Sequence, residues 1–308
     1  MPPPINNPFL MEVFIAPANL HLAADATTIR GRGAEPRHSP VFGGTGEYLD
    51  IVTQGTDSFT YEFRGAQLAV RLRSAASFVQ MLEPIQGALY IDITALSHHI
   101  WAPILRTALQ RDIPIRVIYI EPETYQQSPA GLEGEIFDLS ERIMGVAAIP
   151  GFASLGDDDD RVCFVPMLGF EGRRTAYILE QVQPKGDNIV PVVGLPGFRP
   201  EFPFYTLQAN ARILKETQAW KNVVYAAANN PFSAFDILVD IAGRNPDALI
   251  KIAPIGTKPH ALGAFLYPLK TARRVEFVYD FPIRKANRTA GVGKVFVYRI
   301  SEFMRNAA

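Results

Sequence analysis

From residue 87 onward, continuous apolar runs alternate with segments of helical periodicity. The run GALYIDITAL, residues 87–96, is apolar almost throughout, as expected for a strand covered on both faces. HHIWAPILRTALQRD follows with apolar residues at helical spacing, and IPIRVIYIEPETY resembles a second buried strand. The same order of strand, turn and helix recurs as far as residue 301. The pattern predicts an α/β fold with a Rossmann-like, mostly parallel sheet and helices on both of its faces.

The earlier part of the chain has a different pattern. YLDIVTQ, SFTYEFRG and QLAVRLRS alternate polar and apolar residues between turn residues, which is typical of a small antiparallel β-meander. MEVFIAP is compatible with one further strand, and the Gly- and Pro-rich segment 30–47 is expected to be a loop. We therefore expect a loop and β-meander segment over residues 1–80 and a Rossmann-like domain over residues 81–308.

Composition narrows the classes of function. The chain has 308 residues and a formal net charge of -1, which argues against a nucleic-acid surface built on bulk positive charge. No run approaches the roughly 18 apolar residues of a membrane span, and no signal peptide is recognisable. Cys163 is the only cysteine, so an internal disulfide is impossible and a cytoplasmic location is expected.

Neither a metal nor a cofactor is expected. A single thiol and five histidines argue against a structural zinc site. The run GDDDD at residues 156–160 lacks the interleaved spacing of a calcium loop and is expected to be an acidic surface turn. The motifs GxGxxG, GxxxxGK[ST], GxSxG and HExxH are absent, so dinucleotide, Walker A, hydrolase and zinc-protease signatures are not found.

Small, polar or basic residues follow five of the predicted strands. Because ligands bind beyond the carboxyl ends of the strands in an open parallel sheet, we expect these turns to gather on one edge. The turns are Asp92-Ile93-Thr94 with Ser97, Gly169-Phe170-Glu171-Gly172-Arg173, Pro196-Gly197-Phe198-Arg199-Pro200, Asn229-Asn230-Pro231 and Gly256-Thr257-Lys258-Pro259-His260.

The last of these turns has the features of an anion site. A helix N-terminus presents unpaired N–H groups and the positive end of the helix dipole. Gly256 allows close backbone approach, Thr257 supplies a hydroxyl or a cap, and Lys258 adds a positive charge. The alternative is an ordinary capped helix with a solvated lysine. His260 lies one turn into the helix and is the best candidate for a general acid or base. The alternative is that His260 is a hydrogen-bonding contact to the ligand, which is the commoner role of a histidine in this position.

The other turns supply further candidates. Glu171 is a candidate base or ribose contact, and Arg173 and Arg174 oppose the helix dipole, which hints at an anionic ligand. The alternative is a surface pair between Glu171 and an arginine. Asp92 is either a base or an acceptor that orders its own loop. Asn229 is a candidate helix cap or ligand contact.

A later connection is also basic. Asp280, Arg284, Lys285 and Arg288 lie between two predicted strands. The excess of positive charge is compatible with a flap over an anionic ligand and equally with a solvated hairpin.

The strand, the Gly-Thr-Lys turn and its small apolar continuation ALGAFL together resemble the signature turn of CARF domains, the Rossmann-like ligand-sensing domains of prokaryotic antiviral defence. The resemblance implies that Gly256, Thr257 and Lys258 face a nucleotide second messenger across a homodimer. It also implies that a short polar turn after the first core strand, here Thr94 and Ser97, faces the same ligand.

Three functions stay open at this point. The first is binding of a phosphate-containing ligand, a nucleotide or a nucleotide second messenger, without turnover. The second is an enzyme acting on a nucleotide or phosphosugar, with Glu171 or Asp92 as the base. The third is a subunit without a small ligand that binds a partner through residues 1–45.

Overall fold

The computed structural model describes residues 10–14, 20–22, 25–32, 42–43, 46–127, 136–153 and 161–306. These residues contain eight α-helices and nineteen strands. The strands are β1 (Met11–Phe14), β2 (Leu20–His21), β3 (Thr27–Gly31), β4 (Phe42–Gly43), β5 (Glu47–Gln54), β6 (Ser58–Phe63), β7 (Ala66–Arg71), β8 (Leu89–Asp92), β9 (Ile115–Ile120), β10 (Thr124–Tyr125), β11 (Ser140–Ile143), β12 (Arg161–Met167), β13 (Val192–Gly194), β14 (Val224–Ala226), β15 (Ala248–Pro254), β16 (Val275–Phe277), β17 (Pro282–Arg284), β18 (Thr289–Ala290) and β19 (Val295–Tyr298).

The helices fall mainly between strands, as the alternating pattern predicts. They are α1 (Ala75–Leu82), α2 (His98–Gln110), α3 (Gly172–Val182), α4 (Phe202–Ala209), α5 (Ala211–Glu216), α6 (Pro231–Arg244), α7 (Lys258–Thr271) and α8 (Ile300–Arg305). The fold is therefore α/β, with Rossmann-like, mostly parallel strand pairing and an antiparallel strand segment near the N-terminus.

The chain divides into two compact units. Tyr125–Arg288 forms one, which we call the inserted unit because it lies within the sequence of the other. The described residues before Tyr125 and after Arg288 form the second, which we call the flanking unit.

The flanking unit contains an eight-stranded sheet in the order β1-β19-β9-β8-β3-β5-β6-β7. Its four central strands are parallel, and antiparallel strands extend the sheet at both ends. The predicted antiparallel meander is confirmed in β5, β6 and β7. Two consecutive residues with positive φ, Arg64 and Gly65, make the tight turn between β6 and β7.

The division into units differs from the predicted boundary between residues 80 and 81. β3, from the N-terminal part, pairs in parallel with β8 through Thr27 and Leu89, so both sides of that boundary share one sheet. β19, near the C-terminus, joins the same sheet beside β9. Hydrophobic periodicity predicts strands but does not specify which distant strand becomes the neighbour.

The inserted unit contains a five-stranded, wholly parallel sheet in the order β14-β13-β12-β15-β16. The connections from β12 through β13 to β14 run in one direction across the sheet, and those from β14 through β15 to β16 run in the other. Right-handed crossovers then place α3, α4 and α5 on one face and α6 and α7 on the opposite face. Buried side chains from α3, α5 and the sheet, including Phe164, Ile178 and Leu214, form a core on the first face.

Candidate functional site

The strand order of the inserted unit defines a topological switch point. β12 is the first strand of the sheet in sequence, and β15 lies directly beside it with a register running from Arg161 and Ala248 to Met167 and Pro254. Crossovers leave these two neighbours toward opposite edges. In open α/β sheets the crevice beyond the carboxyl ends of such strands is where ligands bind.

The turns after β12 and β15 touch at this switch point. A side chain on Gly256 would place its Cβ 2.5 Å from the carbonyl oxygen of Leu168, and one on Gly169 would place it 2.9 Å from that of Ile255. Real Cβ atoms do not approach backbone oxygens so closely, so both positions require glycine. The proximity expected for these two turns is thus present.

The start of α7 is capped by Thr257. Its Oγ1 accepts the N–H of His260 at 3.3 Å and donates to the carbonyl of Ala228 at 2.8 Å. Pro259 has no N–H, so the capped turn offers fewer backbone donors than a helix start without proline. Lys258 is the first helical residue and is half-buried. Charge at this turn therefore comes from the lysine side chain.

His260 is fully buried at the same turn. Its Nε2 lies 3.1 Å from the carbonyl oxygen of Ala227, which makes Nε2 the protonated nitrogen of a neutral ring. Burial lowers the pKa of His260 to about 4, although hydrogen bonds to backbone carbonyls act in the opposite direction. The side chain ties α7 to the end of β14, which is a structural role rather than that of a general base near neutral pH.

Glu171, the candidate base at the start of α3, is buried and holds a neighbouring segment. Its Oε2 accepts the hydroxyl of Ser140 at 2.8 Å, and its Oε1 accepts the N–H of Leu139 at 3.2 Å. These bonds fasten the beginning of β11 to the beginning of α3. The carboxylate therefore already has structural partners.

Arg174 lies in the first turn of α3 and forms a buried ion pair with Asp280. Its Nε and one terminal nitrogen donate to the two carboxylate oxygens of Asp280, each at 2.7 Å, and Glu171 lies 3.6 Å away. Burial alone would lower the pKa of Arg174, but the charges of Asp280 and Glu171 reverse this and raise it. The positive charge at this helix start is therefore balanced by carboxylates of the protein itself. Its unfavourable position relative to the helix dipole no longer indicates an anionic ligand.

Arg173 belongs to the same network. Its guanidinium donates to Asp138 at 3.1 Å, to Glu171 at 3.2 Å and to the carbonyl of Ser140. Lys285 also pairs with Asp138.

The predicted basic connection is partly a strand. Arg284 lies in β17, which pairs antiparallel with β11. That part of the connection is a strand, and Asp280 and Lys285 contribute to the ion network.

Asn210 organises the turn after β12 and is missed by the sequence pattern. Its Nδ2 donates to the carbonyl of Gly169 at 2.9 Å, and its Oδ1 accepts the hydroxyl of Thr175 at 2.7 Å. The segment TLQANARILKE predicts one helix, but Asn210 separates α4 from α5. An asparagine inside a helical pattern was the available signal, because its amide competes with the helix backbone.

Aromatic side chains from the turns after β12 and β13 pack in one cluster. Phe170 packs against Phe137, with ring centroids 4.6 Å apart, and edge-on against Phe202 at 5.2 Å. Phe198 and Tyr205 pack against the same cluster. The Pro196–Pro200 turn therefore contributes packing to this edge of the sheet.

The turn between β14 and α6 is capped by Asn230 and not by Asn229. The Oδ1 of Asn230 accepts the N–H groups of Phe232 at 3.0 Å and Ser233 at 3.3 Å. Asn229 is half-buried beside it. The two adjacent asparagines are equivalent as cap candidates in sequence, and only the backbone conformation at Asn230 distinguishes them.

Asp92, Thr94 and Ser97 lie in the flanking unit, after β8, and so belong to a different sheet from the Gly256 turn. The carboxylate of the buried Asp92 accepts the N–H of Thr94 at 2.9 Å, and the Thr94 hydroxyl accepts the N–H of Ile120 at 2.8 Å. Ser97 precedes α2 without a side-chain capping bond. The expectation that all five turns share one sheet edge is wrong for this turn.

The described residues contain neither a metal cluster nor a membrane-spanning helix. Within the described part of the chain, no group of three or more His, Cys, Asp or Glu side chains is arranged to hold a metal ion. No helix among the described residues has the length and apolar character needed to cross a membrane. The acidic run at residues 156–160 and most of residues 1–45 lie outside the described residues.

No protein-family model and no curated protein matches the chain.

Proposed function

We propose that the chain binds a phosphate-containing ligand, a nucleotide or a nucleotide second messenger, beyond the carboxyl ends of β12 and β15. The observation that carries the proposal is the switch point itself, where two glycine turns touch and α7 begins with Lys258. Ligands of Rossmann-like sheets occupy this position. The resemblance of the Gly-Thr-Lys turn to CARF domains supports a sensor role in prokaryotic antiviral defence.

Binding without turnover is the version that the contacts favour. Glu171 accepts bonds from Ser140 and Leu139, and Asp92 orders its own loop. His260 is buried and neutral. All three acid–base candidates therefore have structural roles. Binding an anion without turnover needs only the positive charge of Lys258 and the helix dipole.

Lys258 is expected to contribute most of the affinity. With Pro259 lacking an N–H and the N–H of His260 capped, the ammonium group is the principal donor that this turn adds for a phosphate. One charge-assisted hydrogen bond contributes roughly 1.5–3 kcal/mol, which corresponds to at least about a 10-fold change in affinity.

The test measures binding in two steps. Native mass spectrometry of protein purified from cells identifies any retained anion, and isothermal titration calorimetry then follows a nucleotide panel. Lys258→Ala should weaken binding at least about 10-fold. Lys221→Ala is the matched control, because Lys221 is an exposed lysine that precedes β14 and so lies at the opposite end of the strands.

Two results would contradict the proposal. One is the absence of any nucleotide binding by the wild-type chain at millimolar concentration. The other is equal loss of affinity in the Lys258 and Lys221 variants, which would indicate unspecific electrostatic attraction. Turnover of a nucleotide that is lost in Glu171→Gln, with binding retained, would replace the sensor by an enzyme.

A further inference from the structure

Among the described residues, the eight-stranded sheet of the flanking unit ends in β7, which pairs with a strand on one side only. β7 is the last strand in the sheet order and spans six residues, and its residues 66–69 are all exposed. By contrast, the two edge strands of the five-stranded sheet, β14 and β16, have three residues each. Very short edge strands are a common protection against pairing with another chain, and β7 lacks that protection.

Within the part of the chain that the structure describes, β7 pairs with β6 alone, so every second residue of β7 directs its backbone groups to the outer side of the sheet. Leu72, which continues the strand, donates its N–H to Asp57 at 2.9 Å, and the register with β6 is regular over the whole strand. Antiparallel pairing alternates inward and outward groups, so the even-numbered residues bond to β6. The N–H and C=O groups of Gln67 and Ala69 consequently point away from β6, toward the open edge.

An apolar row of the sheet also runs out to this edge. Ile51 pairs with Tyr61, and Tyr61 pairs with Leu68, so the three side chains lie on one face. Ile51 is 0% exposed and Tyr61 4%, whereas Leu68 is 51% exposed. The same face carries the buried Val70. A further strand beside β7 would cover Leu68 and continue the row.

β7 has few of the features that keep edge strands apart. The sequence AQLAVR contains no proline and no lysine, and its pairing with β6 has no bulge. Its only charge is Arg71, at the end of the strand. The middle of the strand can therefore meet an identical strand without opposing like charges.

We propose that β7 pairs antiparallel with β7 of a second copy of the chain, about a two-fold axis through Leu68. Gln67 would then lie opposite Ala69 of the partner subunit, and their outward N–H and C=O groups would exchange hydrogen bonds. Leu68 would lie opposite the partner subunit's Leu68 as a non-hydrogen-bonded pair, with Cα atoms about 4.5 Å apart. This arrangement is isologous, as a two-fold dimer requires.

The interface is expected to be weak. Six residues of edge pairing bury much less than the roughly 800 Å² per partner of a standard stable interface. The dissociation constant of the dimer should therefore lie in roughly the micromolar range. The two-fold pairing is independent of the proposed ligand site, which lies in the inserted unit.

Sedimentation equilibrium of the full chain over a concentration series tests the pairing. The wild type should show a reversible monomer–dimer equilibrium. Ala69→Pro should remain monomeric, because it removes an outward N–H without removing a bond to β6. Ala69→Val is the matched control, since it keeps the N–H and should keep the dimer. Cooperative thermal unfolding of both variants checks that they fold.

Cross-linking tests the axis and does not depend on the proline variant. Leu68→Cys should form a covalent dimer with oxidised glutathione, because the paired Cα atoms fall within disulfide range. Gln67→Cys should cross-link much less, since its opposite residue is Ala69. The native Cys163 is buried, and burial raises the pKa of its thiol to about 11, so it does not compete.

Three results would overturn the proposal. They are a wild type that stays monomeric at all concentrations, a dimer that survives Ala69→Pro unchanged, and equal cross-linking of the Leu68→Cys and Gln67→Cys variants. A strand supplied by a different protein is the alternative occupant, and it corresponds to the first of these results.

Discussion

Helices α3 and α7 begin from turns that touch, yet their first turns use charge in opposite ways. At α3, the carboxylate of Glu171 accepts bonds from Ser140 and Leu139, and Arg174 is neutralised by Asp280. At α7, the uncharged hydroxyl of Thr257 caps the helix and His260 is held neutral, so Lys258 is the one charged residue between 256 and 260.

The difference teaches how to weigh charged residues at a switch point. Acidic and basic residues near α3 suggest chemistry in sequence, but the fold uses them to fasten β11 and β17 to the sheet edge. The start of α7 carries less charge, and its cap is the uncharged hydroxyl of Thr257. The number of charged residues at a helix start is therefore a poor guide to whether those residues are available to a ligand.

The largest expected effect comes from breaking the ion network at α3. Asp280→Ala removes the bidentate partner of Arg174, whose side chain is 10% exposed, and leaves a buried charge with only the more distant Glu171. Removing one partner of a buried pair typically costs about 3–5 kcal/mol. We expect a loss of this size in the free energy of unfolding, measured by urea denaturation.

An exposed pair provides the control for this prediction. Asp240→Ala breaks the pair between Asp240 and Arg244 on α6, where the arginine side chain is 64% exposed. Exposed pairs of this kind contribute less than about 1 kcal/mol. Similar losses in the two variants would show that the α3 network is no more structural than a surface pair, and the contrast between the helix starts would fail.

The fold was largely predictable from the sequence because its signals are local. Buried strands such as Leu89–Asp92 and amphipathic helices have periodicities that a single segment carries. The pairing of β3 with β8 is not local, and neither Thr27 nor Leu89 has a sequence feature that predicts it. The division of the chain into a flanking and an inserted unit follows from such pairings and was therefore not predicted.

The candidate site was predictable only in part, for the same reason. The rule that the turns after parallel strands gather at one sheet edge correctly predicts that Gly169 and Gly256 are close together. It could not show that the partners of Glu171 and Arg174 would be Ser140 and Asp280, which are distant in sequence. Partner choice depends on tertiary structure, so residue type at a strand end indicates a position and not a role.

A pH titration should sharpen the contrast at α7. The pKa of His260 is about 4 in the folded chain and near 6.5 in the unfolded chain. As the pH falls from 6.5 to 4, the unfolded chain binds a proton that the native chain resists. Stability is therefore fully present above pH 6.5 and declines below it, by about 3 kcal/mol at pH 4.

His260→Gln isolates this contribution. A glutamine amide can still donate toward the carbonyl of Ala227, but it does not titrate. We expect the free energy of unfolding of the variant to fall less steeply than that of the wild type between pH 6.5 and 4. Parallel pH profiles for the two chains would mean that His260 takes up its proton as readily in the native chain as in the unfolded chain, and His260 would then not be a neutral residue of the α7 start at low pH.

The smallest effect is expected at the cap itself. Thr257→Ala removes both the bond from the N–H of His260 and the bond to the carbonyl of Ala228, and loss of an N-cap typically costs about 1 kcal/mol. Thr257→Ser retains the hydroxyl and should retain most of the stability. Hydrogen exchange should show faster opening of the first turn of α7 in the alanine variant, with α3 unchanged. α3 has no side-chain capping bond at Glu171, so its start depends on ion pairs and should not respond to the Thr257 change. An equal increase in the exchange rates of both helix starts would mean that the two turns open as one cooperative structure.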